Sequence, residues 1–205
     1  MILRKRKLEI ALSKLDTISS PSLKLEQYTI PPKLAAELLY IAGFIYRDIP
    51  NKNVADLGTG SGLLAIGAGL IGAKYVVGVD IDSTAIEVAR QNARKLSVDV
   101  EWVIADIEAI KGPFDTIVMN PPFGTKRRHM DRVFLSKAMT TAKVIYSLHK
   151  QTTRRYLHRF IELNRGLVDA IFPMELEIPY LFPFHTRKKY TVKVDLYRIL
   201  MDHGQ

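Results

Sequence analysis

The alternation of short apolar runs with amphipathic runs is the feature that most restricts the fold of this chain. Four runs are typical of strands: residues 53–57, 75–80, 98–104 and 114–119. The central ones, with Val-Val-Gly-Val and Thr-Ile-Val-Met, are apolar throughout, as strands buried on both faces are. Strands that alternate with helices form parallel sheets covered by helices. The pattern therefore predicts an α/β fold with a mainly parallel, doubly wound sheet.

The remaining elements extend this pattern at both ends of the sequence. One helical pattern opens the chain, and another runs from Pro31 to about Tyr46. The later helices are predicted over residues 62–71, 83–95, 130–141 and 152–163, with a strand over 144–148. Two final strand-like runs, 167–178 and 190–201, have no helix between them and predict an antiparallel C-terminal hairpin in a seven-stranded sheet. We expect one domain, with residues 1–50 as an N-terminal helical segment and 51–205 as the core.

The positive charge of the chain is concentrated in one stretch. The net charge is +9, and residues 124–165 contain eleven basic and two acidic side chains, an excess of nine. A basic run is usually a solvated helix face, and a polyanionic partner is favoured only if the run adjoins an active site. The chain contains no cysteine, which excludes disulfides and thiolate–metal sites. With no apolar run of about 18 residues and no secretory signal pattern, we expect a cytoplasmic protein without a metal of its own.

A glycine-rich loop follows the first strand and begins a helix, in the sequence Asp56-Leu57-Gly58-Thr59-Gly60-Ser61-Gly62. Glycines at such a position let the backbone turn tightly and approach a ligand closely. The loop alone does not identify its ligand, because dinucleotide-binding enzymes use similar sequences. Asp56 favours a ligand with an ammonium group, because a carboxylate at the end of the strand would repel a pyrophosphate.

Two further acidic residues follow the next two strands. Asp80 ends the second strand, where a carboxylate can accept hydrogen bonds from ribose hydroxyls, and Asp106 follows the third strand, where it can accept from an adenine amine. Either acid alone is more often a helix cap or a surface residue. Three acids at the carboxyl ends of successive strands indicate an adenosine with an amino-acid tail. The sequence therefore predicts S-adenosylmethionine as the cofactor, covered by residues 1–50.

The sequence Asn120-Pro121-Pro122-Phe123 follows the fourth strand. Two prolines after a strand are often only a rigid loop. This tetrad can also hold the exocyclic amine of a nucleic-acid base. Such an amine is a poor nucleophile because its lone pair is delocalised into the ring. The Asn120 side-chain oxygen and the Pro121 carbonyl can each accept one amine hydrogen, and Phe123 can stack on the base. We expect these four residues to form a catalytic site in which positioning replaces a metal.

The order of these segments resembles that of class I methyltransferases of the amino-methylating type. They read D-L-G-T-G-S-G, V-D-I-D, A-D-I and N-P-P-F along the chain. Three further segments make the chain look like the small-subunit ribosomal RNA adenine-N6 methyltransferases of archaea and eukaryotes. They are Leu25-Glu26-Gln27-Tyr28, the extension G-T-K after Phe123, and Ile145-Tyr-Ser-Leu-His-Lys150. This resemblance implies transfer of a methyl group from S-adenosylmethionine to the N6 amine of an adenine in structured RNA.

The resemblance also implies a set of cofactor-binding residues and a partner. By resemblance, the cofactor site contains Gln27, Tyr28, Gly58, Ser61, Leu63, Asp80, Asp106 and Ile107. The full set that we expect also contains Thr29, Asp56, Gly60, Gly62, Ile81 and Asn120. Threonine stands one place earlier here than in the family's usual Q-Y-P-T-x-P, which leaves its hydroxyl contact open. The family works with a small zinc-binding activator protein, and the implied topology gives it a free sheet edge at the third strand, residues 98–104.

The basic stretch begins directly after the tetrad, and this position favours an RNA backbone over a solvated face. We expect contacts to RNA from Lys126, Arg127, Arg128 and Arg132. For His149 a place in a core strand and a role in the active site are equally favoured. Other targets of the same chemistry stay open: guanine N2 in RNA, adenine in DNA, or the glutamine of a release factor. The alternative of another class is a non-catalytic RNA-binding assembly factor with this fold, against which the intact glycine loop and Asn120 argue.

Overall fold

The computed structural model describes residues 5–19, 21–22, 25, 27, 29–123, 129–179 and 189–202. The α-helices in this part of the chain are α1 Lys5–Leu12, α2 Pro32–Tyr40, α3 Leu63–Ile71, α4 Ser83–Leu96, α5 Met130–Thr141 and α6 Arg154–Leu163. The strands are β1 Asn53–Leu57, β2 Tyr75–Asp80, β3 Glu101–Ile104, β4 Phe114–Met119, β5 Ala142–Lys150, β6 Gly166–Pro179 and β7 Lys189–Met201.

The strands form one seven-stranded sheet in the order β3-β2-β1-β4-β5-β7-β6. The first five strands of the chain pair in parallel, and β7 lies antiparallel between β5 and β6. The predicted mainly parallel sheet with an antiparallel C-terminal hairpin is therefore confirmed. Because the parallel strands share one direction, their carboxyl ends meet at one edge of the sheet.

Helices cover both faces of this sheet. One apolar core lies between the sheet and α1, α2 and α3, with the C-terminal part of α4 on the same side. The other core is formed by the opposite face of the sheet with α5 and α6. Within the described ranges, no helix has the length and apolar character that crossing a bilayer requires.

The third strand is shorter than the sequence predicts. Residues 98–100 precede β3 because Ser97 ends α4 in the left-handed conformation, with φ 53°, and the Val98 N–H donates to the Ala93 carbonyl. The second predicted helix is helical over nearly its whole predicted length, but in two parts. After α2, residues Ile41–Ile45 form a wider π-helical turn, in which the Tyr46 N–H donates to the Ile41 carbonyl. Neither difference changes the order of the sheet.

Candidate cofactor and substrate site

A cavity lies at the carboxyl ends of β1, β2, β3 and β4, bordered by the segment between α1 and α2. Most of the residues that the sequence predicts for a cofactor site line it, namely Gln27, Thr29, Asp56, Gly58, Gly60, Ser61, Leu63, Asp80, Ile81, Asp106, Ile107 and Asn120. Pro122 of the tetrad lines it as well. Residues that are distant in sequence therefore converge on one cavity, whose wall combines three carboxylates, two side-chain amides and several hydroxyl groups with apolar side chains.

Several predicted residues lie elsewhere. Gly62, Pro121, Phe123 and Arg132 are described but do not line the cavity. Four more, Tyr28, Lys126, Arg127 and Arg128, lie outside the residues that the structure describes. The sequence did not single out the apolar side chains that complete the cavity wall, which include Ile18, Leu25, Leu64, Met130 and Phe134. The spacing of Met130 and Phe134, one helical turn apart on α5, was the available signal.

Two glycines of the loop serve different purposes. Gly60 has φ 55°, and its N–H donates to Asp80 Oδ2 at 2.9 Å, while a Cβ at this position would meet nothing within 4 Å. Gly62 has φ 88°, but a Cβ there would lie 2.8 Å from the Trp102 ring and 3.0 Å from the Ala89 side chain. Gly60 thus shapes the cavity, whereas Gly62 lets the start of α3 pack against β3 and α4. Gly62 belongs to the packing beneath the cavity and not to its surface.

Asp56 is the carboxylate at the end of β1, and it is fully buried in the cavity wall. Its Oδ2 atom accepts hydrogen bonds from Thr59 Oγ1 at 2.6 Å and from the Ala65 N–H at 3.0 Å. Removal from water raises the pKa of Asp56 to about 7, although both hydrogen bonds act in the opposite direction. A cationic ligand group in this cavity would favour the ionised form of Asp56.

Asp80 ends β2 and is held by the backbone around it. Its Oδ2 accepts from the Gly60 N–H, and its Oδ1 accepts from the Asp82 N–H at 3.0 Å. Asp82 faces another way: it caps α4 through the Thr84 N–H at 2.8 Å and accepts from Gln27 Nε2 at 2.8 Å. Burial raises the pKa of Asp80, while the Gln27 hydrogen bond lowers the pKa of Asp82. The cavity therefore presents Asp80, and Gln27 fastens the N-terminal segment beside it.

For Asp106 the sequence left open a helix cap and a place in the cofactor site, and the structure has this residue in both positions. Its Oδ1 accepts from the Glu108 N–H at 2.9 Å and so caps a short 3-10 helix, Ile107–Ala109, while the residue also lines the cavity. Ile107 beside it is buried, and Ile81, which also lines the cavity, keeps about half of its surface exposed. This part of the cavity therefore combines a carboxylate with apolar side chains, a combination that can bind a flat ring bearing an amine.

Asn120 directly follows β4 and lines the cavity. Its Oδ1 atom is buried and has no hydrogen-bond partner in the part of the chain that the structure describes. Leaving a buried carbonyl oxygen without a donor costs about 1–3 kcal/mol, so an atom of this kind in a cavity wall is a candidate contact for a ligand. The arrangement supplies an acceptor for an N–H group of a molecule in the cavity.

The segment Ile145–Lys150 reaches the tetrad through its last residue. Lys150 Nζ lies 5.3 Å from the centre of the Phe123 ring, a cation–π contact that holds the ring from one side. His149 is buried, does not line the cavity, and shares a 2.7 Å hydrogen bond between its Nε2 atom and Ser147 Oγ. Burial lowers the pKa of His149 to about 3 and keeps the ring neutral. Of the two interpretations of His149, the structure favours the core strand.

The comparisons with known proteins agree with this geometry. The family model of ribosomal protein L11 methyltransferase (PrmA) matches residues 44–121, which extend from the π-helical turn after α2 into the tetrad. The rRNA N(6)-adenosine-methyltransferase METTL5 of Danio rerio is 36% identical over 94% of this chain and 97% of its own length. The Drosophila melanogaster enzyme of that name is 38% identical over 96% of both chains. The solved structure of a candidate RNA methyltransferase from Pyrococcus horikoshii superimposes with a TM-score of 0.90, at 39% identity, over 98% of this chain and 99% of that one.

Proposed function

Because this chain belongs to the family of rRNA N6-adenosine methyltransferases, we propose that it transfers a methyl group from S-adenosylmethionine to the exocyclic N6 amine of an adenine in structured RNA, in particular small-subunit ribosomal RNA. The relatives named so are matched over nearly their whole length, which includes both the cavity and the tetrad. The observation that carries the proposal in this molecule is the buried Oδ1 atom of Asn120, which has no hydrogen-bond partner among the described residues.

The donor set of the cavity fits S-adenosylmethionine. Asp56 offers a buried carboxylate for the ammonium of the amino-acid tail, Asp80 would take the ribose hydroxyls, and Asp106 with Ile107 and Ile81 would take the adenine. Bound there, S-adenosylmethionine supplies an electrophilic methyl group on its sulfonium. An acid at the end of each of three neighbouring strands is the arrangement that this ligand needs.

The tetrad acts on the substrate amine by positioning it. Asn120 Oδ1 would accept one N–H of the amine and the Pro121 carbonyl the other, so that the nitrogen lone pair turns out of conjugation. Phe123, held from one side by Lys150, would stack on the base. The methylated amine then carries one proton too many and releases it to solvent. Such alignment of two reactants can supply much of the barrier reduction without an acid or a base.

We further propose a small zinc-binding activator protein as partner, docked on β3. Among the described strands, β3 pairs only with β2 and forms one edge of the sheet, and its last residue, Ile104, is 50% exposed. Strand addition satisfies the unpaired backbone groups of such an edge without demanding a special sequence. The thiolate ligands of zinc would come from the partner, since this chain has no cysteine.

The cytoplasm, where ribosomal RNA and S-adenosylmethionine meet, stays the predicted location.

The test is the identity of the methylated product. Labelled S-adenosylmethionine is incubated with the protein and with separate ribosomal RNA, DNA and release-factor fractions, and the RNA is digested to nucleosides. We expect label in N6-methyladenosine from small-subunit ribosomal RNA. Label in N2-methylguanosine, in DNA or in glutamine would replace the proposed substrate, and the absence of transfer with and without an activator protein would contradict catalysis.

A further inference from the structure

A second feature of the molecule is a group of aromatic and basic side chains between α5 and α6, outside the cavity. The Tyr156 and Phe160 rings stack on α6 with their centres 6.2 Å apart and an angle of 18° between their planes. The Arg132 guanidinium of α5 lies over both rings, 5.7 Å from the centre of Tyr156 and 5.2 Å from that of Phe160. Three side chains from two helices are therefore ordered against each other at the surface.

The three arginines of α6 are used in different ways. Arg154 makes two hydrogen bonds to the buried carboxylate of Asp195, at 2.6 and 2.7 Å, and so belongs to the fold. Arg155 and Arg159 are exposed one turn apart and make no ion pair with the residues that the structure describes. Tyr156 is 47% exposed beside them. We call this surface, formed by Arg132, Arg155, Tyr156, Arg159 and Phe160, the arginine–aromatic face.

This face adjoins the proposed active site. Met130 and Phe134 on α5 line the cavity, and Arg132 lies between them in sequence and turns toward α6. The sequence that joins the tetrad to α5, residues 124–129, contains Lys126, Arg127 and Arg128 of the basic stretch. Helix α5 therefore connects the cavity, through Met130 and Phe134, with the rings on α6, through Arg132.

We propose that the arginine–aromatic face binds a single-stranded segment of the substrate RNA that flanks the target adenine. A base stacks on Tyr156, and phosphates contact Arg155 and Arg159. The inference rests on the proposed function for the identity of the RNA, although its evidence is separate from that of the cavity. Aromatic rings interleaved with arginines bind single strands because every unpaired base has a free face that can stack on a ring. A base inside a duplex has no free face, because it is stacked between its neighbours.

The experiment compares two double variants with the same change in charge. R155A/R159A removes the two α6 arginines of the arginine–aromatic face and leaves Arg132 in place. R90A/R94A removes two arginines, also one turn apart, of α4, a helix on the opposite face of the sheet. Fluorescence titrations use polyuridine, which contains no adenine for the tetrad. We expect the slope of log affinity against log salt to flatten by about 0.7 for each arginine–phosphate pair that R155A/R159A removes. The slope of R90A/R94A should match that of the parent.

A second pair of variants tests the stacking of a base. Tyr156→Ala should weaken polyuridine binding about tenfold, whereas Tyr156→Phe, which keeps the ring, should bind like the parent. For methyl transfer to ribosomal RNA, we expect both R155A/R159A and Tyr156→Ala to raise KM while leaving kcat and the affinity for S-adenosylhomocysteine unchanged.

Equal RNA affinity and salt slope in the α6 and α4 variants would overturn the proposal, and so would an equal loss in both, which would be an effect of net charge. Loss of binding to phosphatidylserine vesicles, with RNA binding unchanged, would assign the face to a membrane instead. If the parent methylates adenine but the α6 variants bind like the parent, this inference alone fails. If the parent methylates no adenine but the α6 variants still bind RNA more weakly, the proposed substrate alone fails.

Discussion

Asn120 and Asp56 line the same cavity, but their buried oxygens are satisfied in different ways. Asn120 Oδ1 has no partner among the described residues, whereas Asp56 Oδ2 accepts two hydrogen bonds within its own loop. In the proposed mechanism, the first atom accepts a hydrogen bond from the bound substrate. The second is already ordered, and what it lacks is a compensating charge, since burial holds its pKa at about 7.

For Asn120, this difference predicts a variant that loses turnover without losing the cofactor. Asn120→Ala removes the acceptor for the substrate amine, and we expect the rate of methyl transfer to fall about 100-fold or more, as when other single transition-state interactions are removed. Calorimetry with S-adenosylhomocysteine should give an affinity within a few-fold of the parent's. Methyl transfer at the parent's rate would contradict the role that we propose for Asn120.

For Asp56, the raised pKa predicts a pH-dependent cofactor affinity. In the free protein Asp56 binds a proton below about pH 7, and the ammonium of the cofactor requires it to be ionised, so binding releases that proton. The affinity for S-adenosylhomocysteine should therefore fall as the pH is lowered from about 8 to about 6, approaching tenfold per pH unit below the pKa. Calorimetry across this range checks it. Asp56→Asn cannot ionise and should show a flatter profile; an equally steep one would assign the titration to another group.

Most single residues of the candidate site were predictable because their sequence position fixes their place. A residue that ends a parallel strand must lie at the carboxyl edge of the sheet, which is why Asp56, Asp80 and Asn120 meet in one cavity. Gly62 was not predictable in the same way. It belongs to the same glycine loop, but its neighbours Trp102 and Ala89 come from other elements, and only their approach shows that Gly62 serves packing.

Among the elements, β3 is the one whose prediction was partly right. Its place at the edge of the sheet follows from the connectivity of the fold, and the structure has it there. Its start did not follow from the alternation of apolar residues, because Val98 alternates correctly yet packs against Gly69 of α3 before the strand begins. Alternation shows which side chains face the core, but a strand begins only where the neighbouring backbone offers hydrogen bonds.

The exposed edge of β3 predicts where a partner protects the chain. The unpaired N–H groups of Glu101–Ile104 should exchange with deuterium faster than those of β1, which pairs on both sides. If a zinc-binding activator pairs with β3, its addition should slow exchange over these four residues and leave β6, the opposite edge, unchanged. A stable complex without protection at β3 would rule out this docking mode.

On the scale of the whole molecule, a group of charges joins parts that are distant in sequence. Arg198 of β7 donates to Asp48, before β1, at 2.9 Å and to Asp169 of β6 at 2.7 Å. Tyr146 of β5 donates to Asp48 at 2.6 Å, and the Arg198 guanidinium lies over the Tyr46 ring at 4.3 Å. The C-terminal hairpin is thereby bonded to the connection between the N-terminal helices and the core.

This connection predicts a large loss of stability when Arg198 is removed. Arg198→Ala leaves Asp48, whose side chain is only 14% exposed, without its cation, and we expect the free energy of unfolding to fall by about 3 kcal/mol. The control is Lys5→Ala, which breaks a pair with Glu37 whose side chains are both 39% exposed, and which should cost less than about 1 kcal/mol. Urea unfolding curves measure both, and similar losses would show that the Arg198 group is no more than a surface ion pair.

The Trp102 ring has a consequence for the thermodynamics of assembly. It belongs to the outermost strand, yet it lies against the glycine that begins α3, directly under the cofactor loop. We expect a protein that orders this strand to restrict the loop through Trp102, so that the two binding events share one free energy of interaction. The coupling must be reciprocal. The factor by which the partner protein raises the affinity for S-adenosylhomocysteine must equal the factor by which S-adenosylhomocysteine raises the affinity for the partner protein. Calorimetric titration of each ligand, with and without the other bound, measures both factors. The variant Trp102→Leu should bring the common factor toward one.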